Sequence, residues 1–326
     1  MTIAVFIQKR DFLGARLMHL PLLHGLRKAF PEAVLVVYSP GPSGGFFRNT
    51  GLVDVERVYG YGPWSLLKEL RRKAPELVLS LRPLSQWLTL VIGLSGAARR
   101  VGYRTRFSRL FLTHTVIRDL TRYRALAFLD LLRPLGVSTG SADVFYDLAG
   151  RGDSSGDMEK PYFVFIPAGA DPRKQWGMER FLELSRRLRR GTPGAGEVFI
   201  LGPREKPARA ALTALPADPR RRIMMQATLP RLARVMADAD AVVAQDCAPG
   251  HIAQMLETPF VGLFRNRDGR VKERLKEWFY RRDGAEALSC DPGRGIEEIS
   301  VEEVAAAVER VRKADAKTFP PLYTLE

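Results

Sequence analysis

Residues 241–264 read AVVAQDCAPGHIAQMLETPFVGLF. A short apolar run ends at Gln245 and Asp246, a Pro and a Gly follow, and a helical pattern starts around His251 before a second apolar run, 260–264. A buried strand of this kind delivers Asp246 to the carboxyl edge of a sheet. Pro249 suits the first helical position because it has no N–H to lose. The first helical turn then offers backbone donors near Gly250 and His251, with the positive end of the helix dipole behind them, which makes an anion site. Gly250 would let a ligand come close and the His251 imidazole would add a hydrogen bond, while Ile252, Met255 and Leu256 face inward. An ordinary strand–loop–helix junction, with Asp246 in a turn and His251 a satisfied surface residue, is the alternative.

Outward from this stretch, short runs of Val, Ile, Leu and Phe alternate with longer amphipathic segments, the pattern of parallel strands covered by helices. In the first half the strands are IAVFI, AVLVVYS, VERVYG, LVLSL and RRVGY, with helices over 15–30, 64–73, 84–95 and 122–135. The second half restarts with YFVFIPA, then EVFILG, RRIMMQ, AVVAQ and FVGLF, and ends in an amphipathic helix over 299–313. This predicts an α/β chain of two Rossmann-like, doubly wound domains, 1–148 and 161–326, joined by the polar, glycine-rich linker 149–160. Ligands of such sheets sit at the carboxyl ends of the strands, so a cleft between the domains is expected to hold the site.

The formal charge of +15 over 326 residues points to an anionic partner: phosphate, acidic lipid or nucleic acid. No recognised nucleic-acid-binding motif is present, and PGPSGGFF at 40–47 lacks the Gly-Lys-Ser/Thr end of a phosphate loop. Cys247 and Cys290 have no metal-ligand spacing and the four histidines are scattered, so neither a metal site nor a disulfide is expected. The apolar start, only about five or six residues long before Gln8, is too short for a signal-peptide core or a membrane span. A cytoplasmic protein is expected.

QDCAPGHIAQMLETPFVGLF resembles the donor-site signature of glycosyltransferase family 9, the lipopolysaccharide heptosyltransferases. Further segments are similar in the same order: PLLHGLRKAFPEAVLVVYSP, LSGAARRVGYRTRFSRLFLTH, LLRPLG and FIPAGADPRKQWGMERFLELSRRL. The resemblance spans about 8–310. It implies a GT-B fold and inverting, metal-independent transfer of a heptose-like sugar from a nucleotide diphosphate such as ADP-heptose, with no cofactor. The acceptor it implies is an anionic, lipid-linked saccharide of the lipopolysaccharide core, reached by peripheral contact with an anionic membrane. Lys174 stands where the family places a phosphate-binding lysine, Gly169 and Ala170 lie in the loop that would approach the phosphates, and Glu205 matches a family glutamate near the nucleoside. Asp246, Cys247, Ala248, Gly250 and His251 complete the implied donor site. Trp176, a few residues beyond Lys174, reads as core packing rather than as a platform for the base.

The departures concern chemistry. The family's first loop carries Gly-Asp six to seven residues before a proline, and its aspartate is the general base. Counting back from Pro21 gives Gly14 and Ala15, and an alanine cannot accept a proton. Asp11 is the candidate base, with Lys9, Arg10 and Gly14 beside it in the acceptor loop and His19 as the alternative. Cys247-Ala248 replaces Thr/Ser-Gly, losing a hydroxyl donor, and Arg265 replaces a glycine, adding a cation near the diphosphate. A degenerate family member that binds nucleotide sugar without turnover is the competing reading.

Overall fold

The computed structural model describes residues 1–8, 12–59, 62–152, 158–169 and 171–315. They form two compact units, one to Val144 and one from Phe145 onward.

The first unit holds six parallel strands, β1 (Thr2–Phe6), β2 (Val34–Ser39), β3 (Val55–Val58), β4 (Leu77–Ser80), β5 (Arg99–Tyr103) and β6 (His114–Val116). Their order is β3-β2-β1-β4-β5-β6. Central strands covered on both faces must be apolar at every position, and Ile3 to Phe6 and Leu77 to Leu79 are buried throughout. Right-handed crossovers put helices on both sides. On one side Leu66, Leu70, Leu88, Val91 and Ile92 pack against Ala4, Phe6, Tyr38 and Val78. The winding reverses between β1 and β4, which opens a crevice at their carboxyl ends.

The second unit repeats the plan with β7 (Tyr162–Ile166), β8 (Gly196–Leu201), β9 (Arg221–Met225), β10 (Ala241–Gln245), β11 (Phe260–Phe264) and β12 (Ala285–Ser289), in the order β12-β11-β10-β7-β8-β9. Phe163, Phe165, Phe181, Phe199 and Trp176 fill one face together with Val304, Ala307, Val308 and Val311 of the helix Val301–Asp315. Here the reversal lies between β7 and β10.

Several elements depart from expectation. The helix expected over 15–30 is two, Leu13–Leu17 and Leu20–Ala29, interrupted at Met18 and His19. Pro21 has no N–H to return to the preceding turn, so the ladder restarts there. Gly14 therefore belongs to a buried helical turn rather than to a loop. The helix expected over 122–135 is α-helical only over Arg124–Leu129 and tightens to a 3-10 turn over Asp130–Leu135, which contains Pro134. β6 and β12, both at sheet edges, were not anticipated. Of the stretch 149–160, Ala149 and Gly150 end a helix, Asp143–Gly150, and 153–157 lie outside the described residues.

Candidate functional site

In the second unit, Ile166 of β7 lies beside Ala244 of β10, so the segments that follow these strands emerge side by side at the point of reversal. After β7 the chain makes a single 3-10 turn, Pro172–Lys174, capped by Asp171, which accepts from the Arg173 amide at 3.1 Å. The Arg173 guanidinium also binds this carboxylate and, with the amide, holds it down at about 2. The turn aims Lys174 at the neighbouring strand end, where its Nζ donates to Asp246 Oδ2 at 2.5 Å. The two side chains are 40% and 36% exposed, so the pair is open to water and to a ligand.

The loop after β7 is held from both sides. Gln245, the last residue of β10 and buried, accepts the Trp176 amide N–H on Oε1 at 2.9 Å. A Cβ on Gly169 would come within 3.2 Å of Gln245 Nε2, so this close approach suits glycine. After β8, Glu205 Oε1 accepts the Gly169 amide at 3.2 Å, while its buried Oε2 has no hydrogen-bond partner among the described residues. Trp176 itself is fully buried, edge-on to Phe181, and donates Nε1–H to the Ile299 carbonyl at 2.7 Å. It is core, as expected.

The helix Ala248–Met255 begins directly after Asp246 and Cys247, with Cys247 extended at its N-cap and Pro249 in the first turn. Burial, followed by the nearby Asp246 and Glu205 carboxylates, pushes the Cys247 thiol up to about 12, so it stays a neutral thiol. Gly250 is buried, and a Cβ there would lie 3.3 Å from Ala244 Cβ and 3.4 Å from Phe260 Cζ, so its bareness lets the helix pack closely on the sheet.

His251 is buried beside Trp278, with ring centroids 5.9 Å apart. Burial, opposed in part by Asp246, pulls its imidazole down to about 4, so the ring is neutral at neutral pH. Its tautomer follows from Gln254. The backbone N–H of Tyr280 can only donate, and it does so to Gln254 Oε1 at 2.8 Å. The amide NH₂ therefore faces His251 Nδ1 at 3.3 Å, making Nδ1 the acceptor and placing the ring proton on Nε2.

Lys9, Arg10, Asp11 and Ala170 lie outside the described residues. Ala15, at the position of the family aspartate, is 2% exposed in the helix Leu13–Leu17. His19, the alternative base, is a core residue: it is 2% exposed and stacked on Phe128 with centroids 4.8 Å apart. Both ring nitrogens are buried, and burial, opposed in part by the Ala15 and Arg16 backbone, lowers its pKa to about 4. Arg265 is half-buried, and its Nε is buried without a hydrogen-bond partner.

A second concavity, which the sequence reading missed, lies at the point of reversal of the first unit. It is a cavity of about 680 Å³ lined by Gln8, Arg82, Ser85, Trp87, Arg118 and Arg124 among others. Gln8 follows β1 and donates to the Leu81 carbonyl at 2.9 Å, which turns its Oε1 to the buried Arg124, Nη1 at 2.7 Å. Arg82 binds the Tyr59 hydroxyl, and Ser85 Oγ is buried without a hydrogen-bond partner. The wall is cationic, and none of its lining residues among the described ones is acidic. Its members are scattered from 8 to 124, so only knowledge of the strand order could have joined them.

The sequence profile of glycosyltransferase family 9 (heptosyltransferase) matches residues 63–276, well over half of the chain. Among solved structures, a family 9 glycosyltransferase from Veillonella parvula is 20% identical, with 96% of this chain and 97% of that one covered at a TM-score of 0.61. The E. coli ADP-heptose lipopolysaccharide heptosyltransferase II is also 20% identical, over 97% and 100%, at 0.61. The E. coli heptosyltransferase WaaC with ADP is 18% identical, over 95% and 100%, at 0.66. The two parallel six-stranded units thus match the GT-B heptosyltransferase architecture. No curated protein matches significantly by sequence.

Proposed function

The chain belongs to glycosyltransferase family 9, and from that premise we propose that it moves a heptose-like sugar, with inversion and without a bound metal, from a nucleoside diphosphate donor to an anionic, lipid-linked saccharide of the lipopolysaccharide core. The acceptor hydroxyl loses its proton to a base and bonds to the anomeric carbon while the bond to the diphosphate breaks. The leaving group departs with the electron pair as a nucleoside diphosphate. Without a metal, cationic side chains and helix amides must hold that charge.

The observation that carries the reading is the Lys174–Asp246 pair at the reversal of the second unit, in line with the first turn of the helix Ala248–Met255. A diphosphate there accepts from Lys174, from the amides of that first turn and from His251, with Arg265 close by after β11. Glu205 Oε2, buried and unpartnered, is the acceptor for a ribose hydroxyl. The ADP in the E. coli WaaC structure of similar fold supports an adenine nucleotide. The second unit is then the donor domain and the first the acceptor domain, its arginine cavity taking an anionic group of the saccharide. Asp11 is the base that stands in for Ala15.

Calorimetric titration with ADP, UDP and GDP tests the donor site, ADP being the expected ligand and Lys174→Ala weakening it. Absence of binding by any nucleoside diphosphate refutes it. Ala15 favours a second reading, nucleotide-sugar binding without turnover, and a protein that binds donor but transfers nothing to any core acceptor decides for it.

A further inference from the structure

All large hydrophobic side chains that stand exposed among the described residues, except Tyr146, belong to the first unit. Most of those between residues 64 and 110 sit on or beside three consecutive helices on one side of its sheet: Pro63–Lys73, Gln86–Gly93 and Ser108–Phe111. The helices lie side by side. Arg71 Nε donates to the Leu94 carbonyl at 3.1 Å, and a Cβ on Gly93 would come within 2.7 Å of the Phe111 side chain. Leu66, Leu70, Leu88, Val91 and Ile92 point inward. The outer surface is apolar as well: Trp64 is 79% exposed and Leu110 77%, with Trp87, Leu90 and Leu94 forming a stripe between them at a spacing of three to four residues. The middle helix, QWLTLVIG, carries no charge at all. An uncharged helix that turns Trp and Leu outward as well as inward is one that something covers.

The charges around this face identify the cover. From 62 to 118 the chain has eleven Lys and Arg against two Glu, and one of those, Glu69, accepts the Tyr38 hydroxyl. Lys68, Arg71, Arg72, Arg106 and Arg109 are exposed. A second copy docked by the same face would set these cations against one another, the two acids of the segment being engaged elsewhere, Glu69 by Tyr38 and Glu76 by the Thr2 amide. Nucleic acid would engage the arginines and leave the leucines in water. Only an anionic bilayer satisfies both sets, with Trp and Leu entering the headgroup layer and arginines lying among the phosphates.

We propose that this face, the outer surface of the helices Pro63–Lys73, Gln86–Gly93 and Ser108–Phe111, seats the protein on the surface of an anionic lipid bilayer. Leu84 and Trp87 also line the arginine cavity, so the cavity borders the seated face. A phosphorylated saccharide anchored in the same bilayer reaches the cavity from there; this last step rests on the acceptor reading above, whereas the docking does not.

The test is co-sedimentation of the full chain with vesicles of phosphatidylcholine alone and with phosphatidylglycerol added, at low and high salt. Binding is expected only to the anionic vesicles, and high salt should weaken it. Leu90→Ser with Leu110→Ser should reduce it at least about tenfold, through lost apolar burial. Arg106→Glu with Arg109→Glu should do the same, since each cation near such a surface contributes roughly a fivefold factor. Nucleotide binding, tested in parallel, should be unchanged in all variants. Failure of the wild type to bind anionic vesicles overturns the proposal, as does binding that survives either pair of substitutions. A wild-type dimer that the leucine variants convert to monomer also overturns it, by showing that a second copy covers the face. If nucleotide binding fails in the wild type while vesicle binding behaves as expected, the donor reading falls and the docking surface stands.

Discussion

Lys174 Nζ and Asp246 Oδ2, 72 residues apart in sequence, meet at 2.5 Å across the ends of two adjacent strands. An ion pair this open to water contributes at most about 1 kcal/mol to stability, whereas a charge-assisted contact from Lys174 to a diphosphate is worth roughly 1.5–3 kcal/mol. Lys174→Ala should therefore lower the urea midpoint only slightly while weakening nucleotide binding about tenfold or more. Denaturation and calorimetry on the same preparation check both halves.

In the proposed donor site His251 would act as a neutral donor on Nε2. With its pKa pulled down to about 4 by burial, its contribution to nucleotide affinity should be constant across neutral pH. His251→Ala is expected to weaken binding by the same factor in mildly acidic and mildly basic buffer. A factor that grows as the pH falls toward 6, roughly where a free imidazole titrates, would mean that the protonated ring makes the contact.

His19 makes a stability prediction with a definite sign. Its folded pKa, about 4, lies below the ordinary value of 6.5, so between these two values the unfolded chain binds a proton that the folded chain does not. Stability is lost as pH falls through that window, by up to about 3 kcal/mol, and not further below it. His251 adds a loss of the same sign. His19→Leu removes this titration, so the variant should gain stability relative to the wild type as the pH falls from neutral to about 5. Urea titrations at the two pH values measure the difference.

For the base, Asp11→Asn should cut turnover by about two orders of magnitude or more and leave nucleotide affinity intact. Turnover that survives the change excludes Asp11.

In the arginine cavity, Arg82→Gln and Arg118→Gln should each raise the acceptor KM by roughly tenfold and leave donor KM alone. Arg124 is unsuited to this test because it is buried on Gln8, and its truncation would disturb the fold itself.

The central strands were legible because burial on both faces leaves them nearly all apolar: AVVAQ and FVGLF are buried from end to end, and Gln245 alone is polar. β6 and β12 were not, since HTV and AEALS are half-buried edge strands whose composition resembles loops. Of the proposed site, the strand–turn–helix order placed Asp246 and His251 at one strand end, and the Lys174–Asp246 pair joins the residue that the family resemblance singled out to them. Gln245 read as the mere end of an apolar run, because its partner, the Trp176 amide, is 69 residues away in sequence and supplied by another strand's loop. The packing role of Gly250 was illegible for a related reason. Sequence marks a place where a side chain is absent, but only packing tells which neighbour needs the room.

The adjacency of β7 and β10 bears on how the second unit comes into being. β7 pairs with β8 soon after it is made, yet its other neighbour, β10, follows some 75 residues later, with β8 and β9 and their helices intervening. Contacts across such a separation close slowly, since the loop entropy must be overcome before they stabilise anything. Lys174 and Asp246 are brought together only by that late pairing, so a chain that has formed β7, β8 and β9 still lacks the pair on which the proposed diphosphate site rests. On that proposal, nucleotide binding becomes an all-or-none reporter of this unit's assembly, and added nucleotide should draw the last docking step forward without rescuing earlier intermediates.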